Sequence, residues 1–187
     1  MLLPTPRDWE LLRDEEAVAQ RPIPYWARSW PSGVALAGAL AADPPRPGRR
    51  VLELGCGLGL PSIVAARAKA VVLATDGSTD AVAYAAHGFA LNEVLGDVAV
   101  VDWGEHGDAL VARGPWDLVL ASDVLYTRQN VEVALRLLPR LLALGGELVL
   151  ADPDRAGARD FLAAARAMFH LSTQRDGDVA LHRLTPR

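Results

Sequence analysis

The stretch RVLELGCGLGL, Arg50 to Leu60, sets the reading of everything around it. Arg50-Val51-Leu52-Glu53-Leu54 is an apolar run of strand length that breaks at Gly55-Cys56-Gly57-Leu58-Gly59, and a helix is expected from Leu60 to about Ala68. A strand that turns through glycines into a helix opens a βαβ unit, so strands and helices should alternate downstream. Val71 to Thr75 is a second strand ending at Asp76, and Ser78 or Thr79 can cap a helix whose Val82, Ala85, Ala86 and Phe89 share one face and which stops near Asn92. Val98 to Val101 leads to Asp102-Trp103-Gly104, and Trp116 to Ala121 leads to Ser122-Asp123. Residues 129 to 142 read as a helix that Pro139 should kink or end early and Gly145-Gly146 should close. Glu147 to Ala151 is the fifth strand, followed by Asp152-Pro153 and a helix from about Ala156 to Met168. Phe169 to Thr173 and Val179 to Leu184 flank Arg175-Asp176-Gly177-Asp178, a hairpin signal.

Seven strands therefore define an α/β fold, a doubly wound Rossmann-like sheet, mostly parallel, with an antiparallel C-terminal hairpin. Upstream lie a helix near Asp8 to Gln20, the segment Pro22-Ile23-Pro24-Tyr25-Trp26, a helix from about Ser32 to Ala42, and a stiff connector from Asp43 to Gly48. The 187 residues suffice for one hydrophobic core, so a single domain is expected: helices and a substrate-side segment over 1–48, and the sheet over 49–187.

With 51% apolar and 22% charged residues the composition is that of an ordinary globular protein. The net charge is −4 and no Lys or Arg stripe tracks a phosphate backbone, so a nucleic-acid partner is not expected. Lys69 is the sole lysine among 19 basic residues. Cys56 is alone, and His87, His106, His170 and His182 are too scattered for metal ligation, so neither a disulfide nor a metal is expected. No apolar stretch approaches the roughly 18 residues of a membrane span. The start MLLPTPRDWELLRDEE lacks a basic then apolar leader, which points to the cytoplasm.

In an open parallel sheet, ligands bind beyond the carboxyl ends of the strands. Those ends are Glu53 to Gly59, Asp76-Gly77, Asp102-Trp103, Ser122-Asp123 and Asp152-Pro153, each with a carboxylate. A dinucleotide fingerprint would need a glycine at position 60, where Leu60 stands. Asp76, 21 residues after Gly55, can accept both hydroxyls of a ribose, which by itself also suits NAD. Asp102 offers an acceptor for an exocyclic adenine amine and Trp103 an aromatic face, so three strand ends together compose an adenosine pocket. Cys56 has no basic neighbour to activate it and reads as a small residue packed beneath the loop.

The block Pro24-Tyr25-Trp26-Ala27-Arg28-Ser29-Trp30-Pro31-Ser32-Gly33, the E-x-G-x-G-x-G spacing of Glu53 to Gly59, Asp102-Trp103-Gly104 and Asp123-Val124-Leu125-Tyr126 together resemble methyltransferase family 16. These are class I seven-β-strand enzymes that use S-adenosyl-L-methionine, and many methylate protein lysines. The resemblance runs from about Pro22 to the C-terminus, with D-x-x-Y its most specific element. Within it, the PYWA and WPSG blocks and Asp152-Pro153-Asp154-Arg155 are most similar to the branch acting on the electron transfer flavoprotein β-subunit. That branch has G-D-P-G-R, where this chain carries Ala151 and Asp154.

The resemblance implies that Trp30, Gly55, Cys56, Gly57, Asp76, Trp103 and Ser122 meet the cofactor, to which the strand ends add Glu53, Gly59 and Asp102. Asp123 and Tyr126 would face the acceptor, and Tyr25 and Trp26 either wall its channel or pack in the core. The product cofactor would be S-adenosyl-L-homocysteine. The expected activity is N-methylation of an exposed protein lysine, with the electron transfer flavoprotein β-subunit as one candidate partner. A methyltransferase of a small amine or nicotinamide-like ring, and a non-catalytic cofactor-binding module, are the alternatives. The chain lacks N-P-P-Y after strand four, so nucleic-acid base amines are not expected acceptors.

Overall fold

The computed structural model describes residues 1–187. Its strands are β1 (Arg50–Leu54), β2 (Val71–Asp76), β3 (Asp97–Val100), β4 (Trp116–Ser122), β5 (Leu142–Asp152), β6 (Phe169–Asp176) and β7 (Val179–Pro186). They form one sheet in the order β3-β2-β1-β4-β5-β7-β6. β1 pairs in parallel with β2, Val51 opposite Val72, and on its other side with β4, Val51 opposite Leu118. β7 is antiparallel to both neighbours, β5 and β6, so it alone runs against the rest.

The helices are α1 (Trp9–Val18), α2 (Pro31–Ala42), α3 (Leu60–Arg67), α4 (Thr79–Leu91), α5 (Trp103–Arg113), α6 (Arg128–Leu141) and α7 (Ala156–Ala165), with a 3-10 turn over Tyr25–Ala27. Strand side chains alternate between faces, and both faces of the central strands are apolar and covered. Leu52, Leu54, Val119 and Ala121 pack with Leu110, Leu137, Leu141 and Phe161 of α5, α6 and α7. Val51, Leu118 and Leu120 pack with Leu36, Ile63 and Phe89 of α2, α3 and α4. The chain leaves β1 toward β2 and β3, then returns to lay β4 on the opposite side of β1. That reversal splays the connections apart and leaves a crevice above β1 and β4.

Three expectations need correction. Residues between β3 and β4 form a helix, α5, that no period in the sequence announces. Gly104, Gly107 and the non-helical His106 (φ −116°, ψ 19°) obscure its period, and Asp102 caps it by accepting from the Gly104 and Glu105 amides. Gly145-Gly146 does not close α6; it lies within β5, where pairing moves from Trp116–Leu142 to Leu118–Glu147 and leaves Ala143 to Gly146 as a bulge. Pro139 sits in the last turn of α6, which ends two residues later at Leu141. The C-terminal hairpin is also longer than its apolar runs, with Asp176 paired to Val179 across Gly177-Asp178 and Gly177 at φ +57°. No helix is long and apolar enough to cross a membrane.

Candidate active site

The crevice is an open cleft of about 970 Å³ at the carboxyl ends of β1, β2 and β4. Gly55 and Gly57, with φ of +64° and +51°, carry the chain out of β1 in the left-handed region that side chains rarely adopt. Space for a side chain is short as well. A Cβ on Gly55 would stand 2.8 Å from Val124 Cγ1, and one on Gly57 would stand 3.1 Å from the Trp26 carbonyl. The loop is thus pressed between the β4 exit and the 3-10 turn, with its backbone bare toward the cleft.

Glu53 and Gly59, both expected on the cofactor, do not line this cleft. Glu53 is fully buried behind the loop, where its Oε2 accepts from the Ser62 amide (3.0 Å) and hydroxyl (2.5 Å) and so ties β1 to α3. It stands inside β1, on the face that α3 covers, one residue short of the strand's end, which a motif spacing does not reveal. Asp152 is likewise buried, and its Oδ1 accepts from the Arg155 amide at 2.6 Å.

Burial pushes the Glu53 carboxyl up to about 8, against the opposing pull of its Ser62 hydrogen bonds. A folded-state value above the unfolded one means stability that is full below about pH 4.5 and is lost as pH rises toward 8. Glu53→Gln removes the titration and keeps an acceptor for Ser62. Urea midpoints at pH 5, 6.5 and 8 should show the wild type losing about 1 kcal/mol per pH unit relative to the variant. Parallel curves would mean that Glu53 does not titrate in that window.

The other predicted residues converge on the cleft: Trp30, Gly55, Cys56, Gly57, Asp76, Asp102, Trp103, Ser122, Asp123 and Tyr126 all line it. Asp76 accepts from the Gly57 amide at Oδ2 (2.9 Å) and from the Ser78 amide at Oδ1 (3.0 Å), which locks its carboxylate beside the glycine loop. Each oxygen keeps a lone pair, so two further donors such as vicinal hydroxyls can be received. Burial pushes the Asp76 carboxyl up, with the Ser78, Gly57 and Gly77 amides pulling it down. Asp102 commits Oδ1 to its helix cap, while Trp103 is partly buried against the core at the first position of α5. Cys56 is buried to 7% exposure, and burial pushes its thiol well up, which disfavours the thiolate.

At the mouth, Tyr25 bridges Trp30 and Tyr126 with ring centroids 6.2 and 6.3 Å away. Its carbonyl accepts from the Trp30 indole at 2.7 Å. Trp26 stands deeper, 5.2 Å from the Tyr84 ring. Asp123 leaves β4 with φ +57° while its amide donates to the Ala151 carbonyl at 2.9 Å, and this bend turns its carboxylate into the cleft. Several lining residues have no role legible in the sequence, and two of them are tied to the D-x-x-Y turn. Asn130 donates to the Val124 carbonyl at 2.7 Å and shapes the D-x-x-Y turn from α6. Arg155 reaches across from the end of β5 to Asp123. Its place in the Asp152 to Arg155 block was visible, but nothing in the sequence paired it with β4.

A bare glycine loop, an adjacent locked carboxylate and the Trp103 ring fit an adenosine bearing an amino-acid tail. The excess of acidic over basic groups around the cleft suits a cationic one such as S-adenosylmethionine.

Comparison with known proteins agrees with this arrangement. Over 138 residues the chain is 37% identical to the electron transfer flavoprotein beta subunit lysine methyltransferase of Xenopus laevis, covering 71% of this chain and 54% of that protein. It is 33% identical over 117 residues to the Xenopus laevis histone-arginine methyltransferase METTL23, covering 58% and 48%. The chain thus spans about half the length of these curated relatives. A TehB-like SAM-dependent methyltransferase from Corynebacterium glutamicum shares the fold, with a TM-score of 0.62 over 96% of both chains at 21% identity. Residues 27–166, from the 3-10 turn through α7 and so including the whole D-x-x-Y turn, match the lysine methyltransferase family, to which this chain belongs.

Proposed function

We propose that the protein is a cytoplasmic S-adenosylmethionine-dependent N-methyltransferase whose acceptor is a lysine of another protein. The electron transfer flavoprotein β-subunit is the first candidate, by similarity to a relative that bears that name. The observation that carries the reading is the placement of Asp123 and Tyr126 on the same cleft as the Gly55–Gly57 loop and Asp76.

S-adenosylmethionine, when bound, supplies a methyl group on a sulfonium, open to in-line displacement by an amine. Gly55, Cys56 and Gly57 would hold its amino-acid end, Asp76 its ribose, and Trp103 with Asp102 its adenine; Trp30 and Ser122 complete the wall. Asp123 would accept a hydrogen bond from the incoming amine and so orient its lone pair. Tyr25 and Tyr126 would line the entrance for the lysine stem, their rings excluding water from one side. A lysine amine is protonated in neutral water, so the site must favour the neutral form; desolvation and a nearby cation both act in that direction.

The test is incubation of host lysate with purified protein and methyl-labelled S-adenosylmethionine, then separation of proteins from small molecules and mapping of the label. Label on lysine of one or a few proteins is expected. Label confined to low-mass material would replace the protein acceptor with a small amine, and label on arginine would redirect the reading to the acceptor that METTL23 is named for.

A further inference from the structure

Asp123, the carboxylate expected to meet the acceptor amine, is already engaged. Arg155 Nε donates to its Oδ1 at 2.5 Å and Nη2 to its Oδ2 at 3.0 Å, a two-point fork onto a side chain only 12% exposed. The backbone that carries the guanidinium is itself held in place, while the Arg155 side chain is 43% exposed. Asp152 Oδ1 accepts from the Arg155 amide, and Arg155 is the N-cap residue of α7, so its backbone is fixed where β5 ends beside β4. The neighbouring Asp154 faces away, paired with Arg175 at 3.4 Å.

A carboxylate standing alone beside a lysine would stabilise the ammonium, the form with no lone pair to donate. A carboxylate already paired with a guanidinium presents almost no net charge, yet each oxygen keeps a lone pair for an N–H donor. The other groups facing this pair are Tyr25 from the 3-10 turn, Asp152 from β5 and Tyr126 beyond β4, which in turn faces Asp76 from β2. Asp76 is bound to two backbone amides and Asp152 to one, so Arg155 is the cation that sets the balance at Asp123.

We propose that Arg155 is a positioning residue for the acceptor: it fixes the Asp123 carboxylate and offsets its charge, so that the amine beside it sheds its proton and attacks as a neutral nucleophile. The proton goes to water before transfer. The amine lone pair then forms the N–C bond as the C–S bond breaks and its electron pair passes to sulfur. This rests on the amine-methylation reading above.

The test uses the full chain saturated with S-adenosylhomocysteine and N-α-acetyl-lysine methylamide as the probe, titrated by NMR between pH 7 and 9. Wild-type affinity should rise about tenfold per pH unit, as expected for selection of the free base of an amine with pKa about 10.4. Arg155→Gln should bind the probe about tenfold more tightly than wild type at pH 7, with affinity nearly flat in pH, because the unpaired Asp123 now selects the ammonium. Arg155→Lys should restore the wild-type slope, since it keeps the charge and loses only the fork. A merely structural role would lower affinity at every pH and leave the slope unchanged. Equal slopes in all three proteins, or no probe binding in any, overturns the proposal. Failure to bind S-adenosylhomocysteine overturns the methyltransferase reading itself, and the proposal with it.

Discussion

Asp123→Asn is expected to lower the turnover number for methyl transfer roughly 10- to 100-fold, the range of a hydrogen bond to a charged group, while affinity for S-adenosylhomocysteine stays within about threefold. The choice of asparagine matters. Asp123 has φ +57°, a conformation that Asn tolerates and that adds strain of roughly 1–2 kcal/mol to Ala. Asn therefore keeps the bend out of β4 and removes the charge, whereas an alanine variant would mix chemistry with backbone relaxation. The Asn variant also loses one of the two acceptor positions that Arg155 occupies, so the guanidinium is left partly free beside the amine site. Tyr126→Phe keeps the ring facing Tyr25 and removes only the hydroxyl, so a loss of under about tenfold is expected. Initial rates at saturating cofactor give the turnover numbers, and calorimetry with S-adenosylhomocysteine gives the affinities. Unchanged turnover in both variants would remove Asp123 and Tyr126 from the chemistry.

The strand ends were legible because two independent patterns converge there: apolar runs of strand length, and a polar or glycine residue where each run stops. Arg50–Leu54 and Val71–Asp76 carry both, and their observed bounds agree with the expected ones to within a residue. A cap at Ser78 or Thr79 was readable because a hydroxyl stands just before the apolar period, and Ser78 takes the role by accepting from the Ala81 amide. α5 was not readable: two glycines and a non-helical His106 break its period, and its burial comes from the non-local contact of Leu110 with the sheet core. The bulge in β5 was hidden for a related reason. Gly145-Gly146 is a good helix terminator locally, and only the pairing of Leu142 with Trp116 draws that segment into the strand.

The site shows the same division. Residues placed at the cleft by their own position on a strand end, such as Asp76 and Asp123, follow from the rule that ligands gather at the carboxyl edge. Residues placed by a partner do not. Glu53 belongs to the same motif as Gly55 and Gly57, but it lies within β1 beneath α3 and meets Ser62, whereas the glycines lie past the end of the strand. Arg155 is 32 residues from Asp123, and only the adjacency of β4 and β5 brings them together. Asp123 and Arg155 therefore meet as an ion pair across two strand ends, a property that net charge cannot express.

The distribution of amide bonds between the two carboxylate oxygens separates Asp76 from Asp102, and Asp76→Asn should be the most damaging single change to cofactor binding. Asp76 spends one oxygen on the Gly57 amide and the other on the Ser78 amide. An amide side chain has one oxygen, so its NH2 must face one of these donors; a buried donor without a partner costs about 1–3 kcal/mol. Either outcome loosens the cleft: the glycine loop loses its tie to β2, or the start of α4 does. The oxygen remaining for a ribose is then one instead of two. A total near 2 kcal/mol or more corresponds to roughly 30-fold weaker binding of S-adenosylhomocysteine at minimum. Asp102 places both of its amide bonds on Oδ1, so Asp102→Asn can keep its cap and sacrifice only Oδ2, and a loss under about tenfold is expected. Calorimetry on the two variants beside the wild type measures the difference. An Asp76→Asn protein that binds as tightly as wild type would show that the carboxylate serves the loop alone and not the cofactor. Equal losses in the two variants would show that the distribution of bonds between the oxygens does not govern affinity.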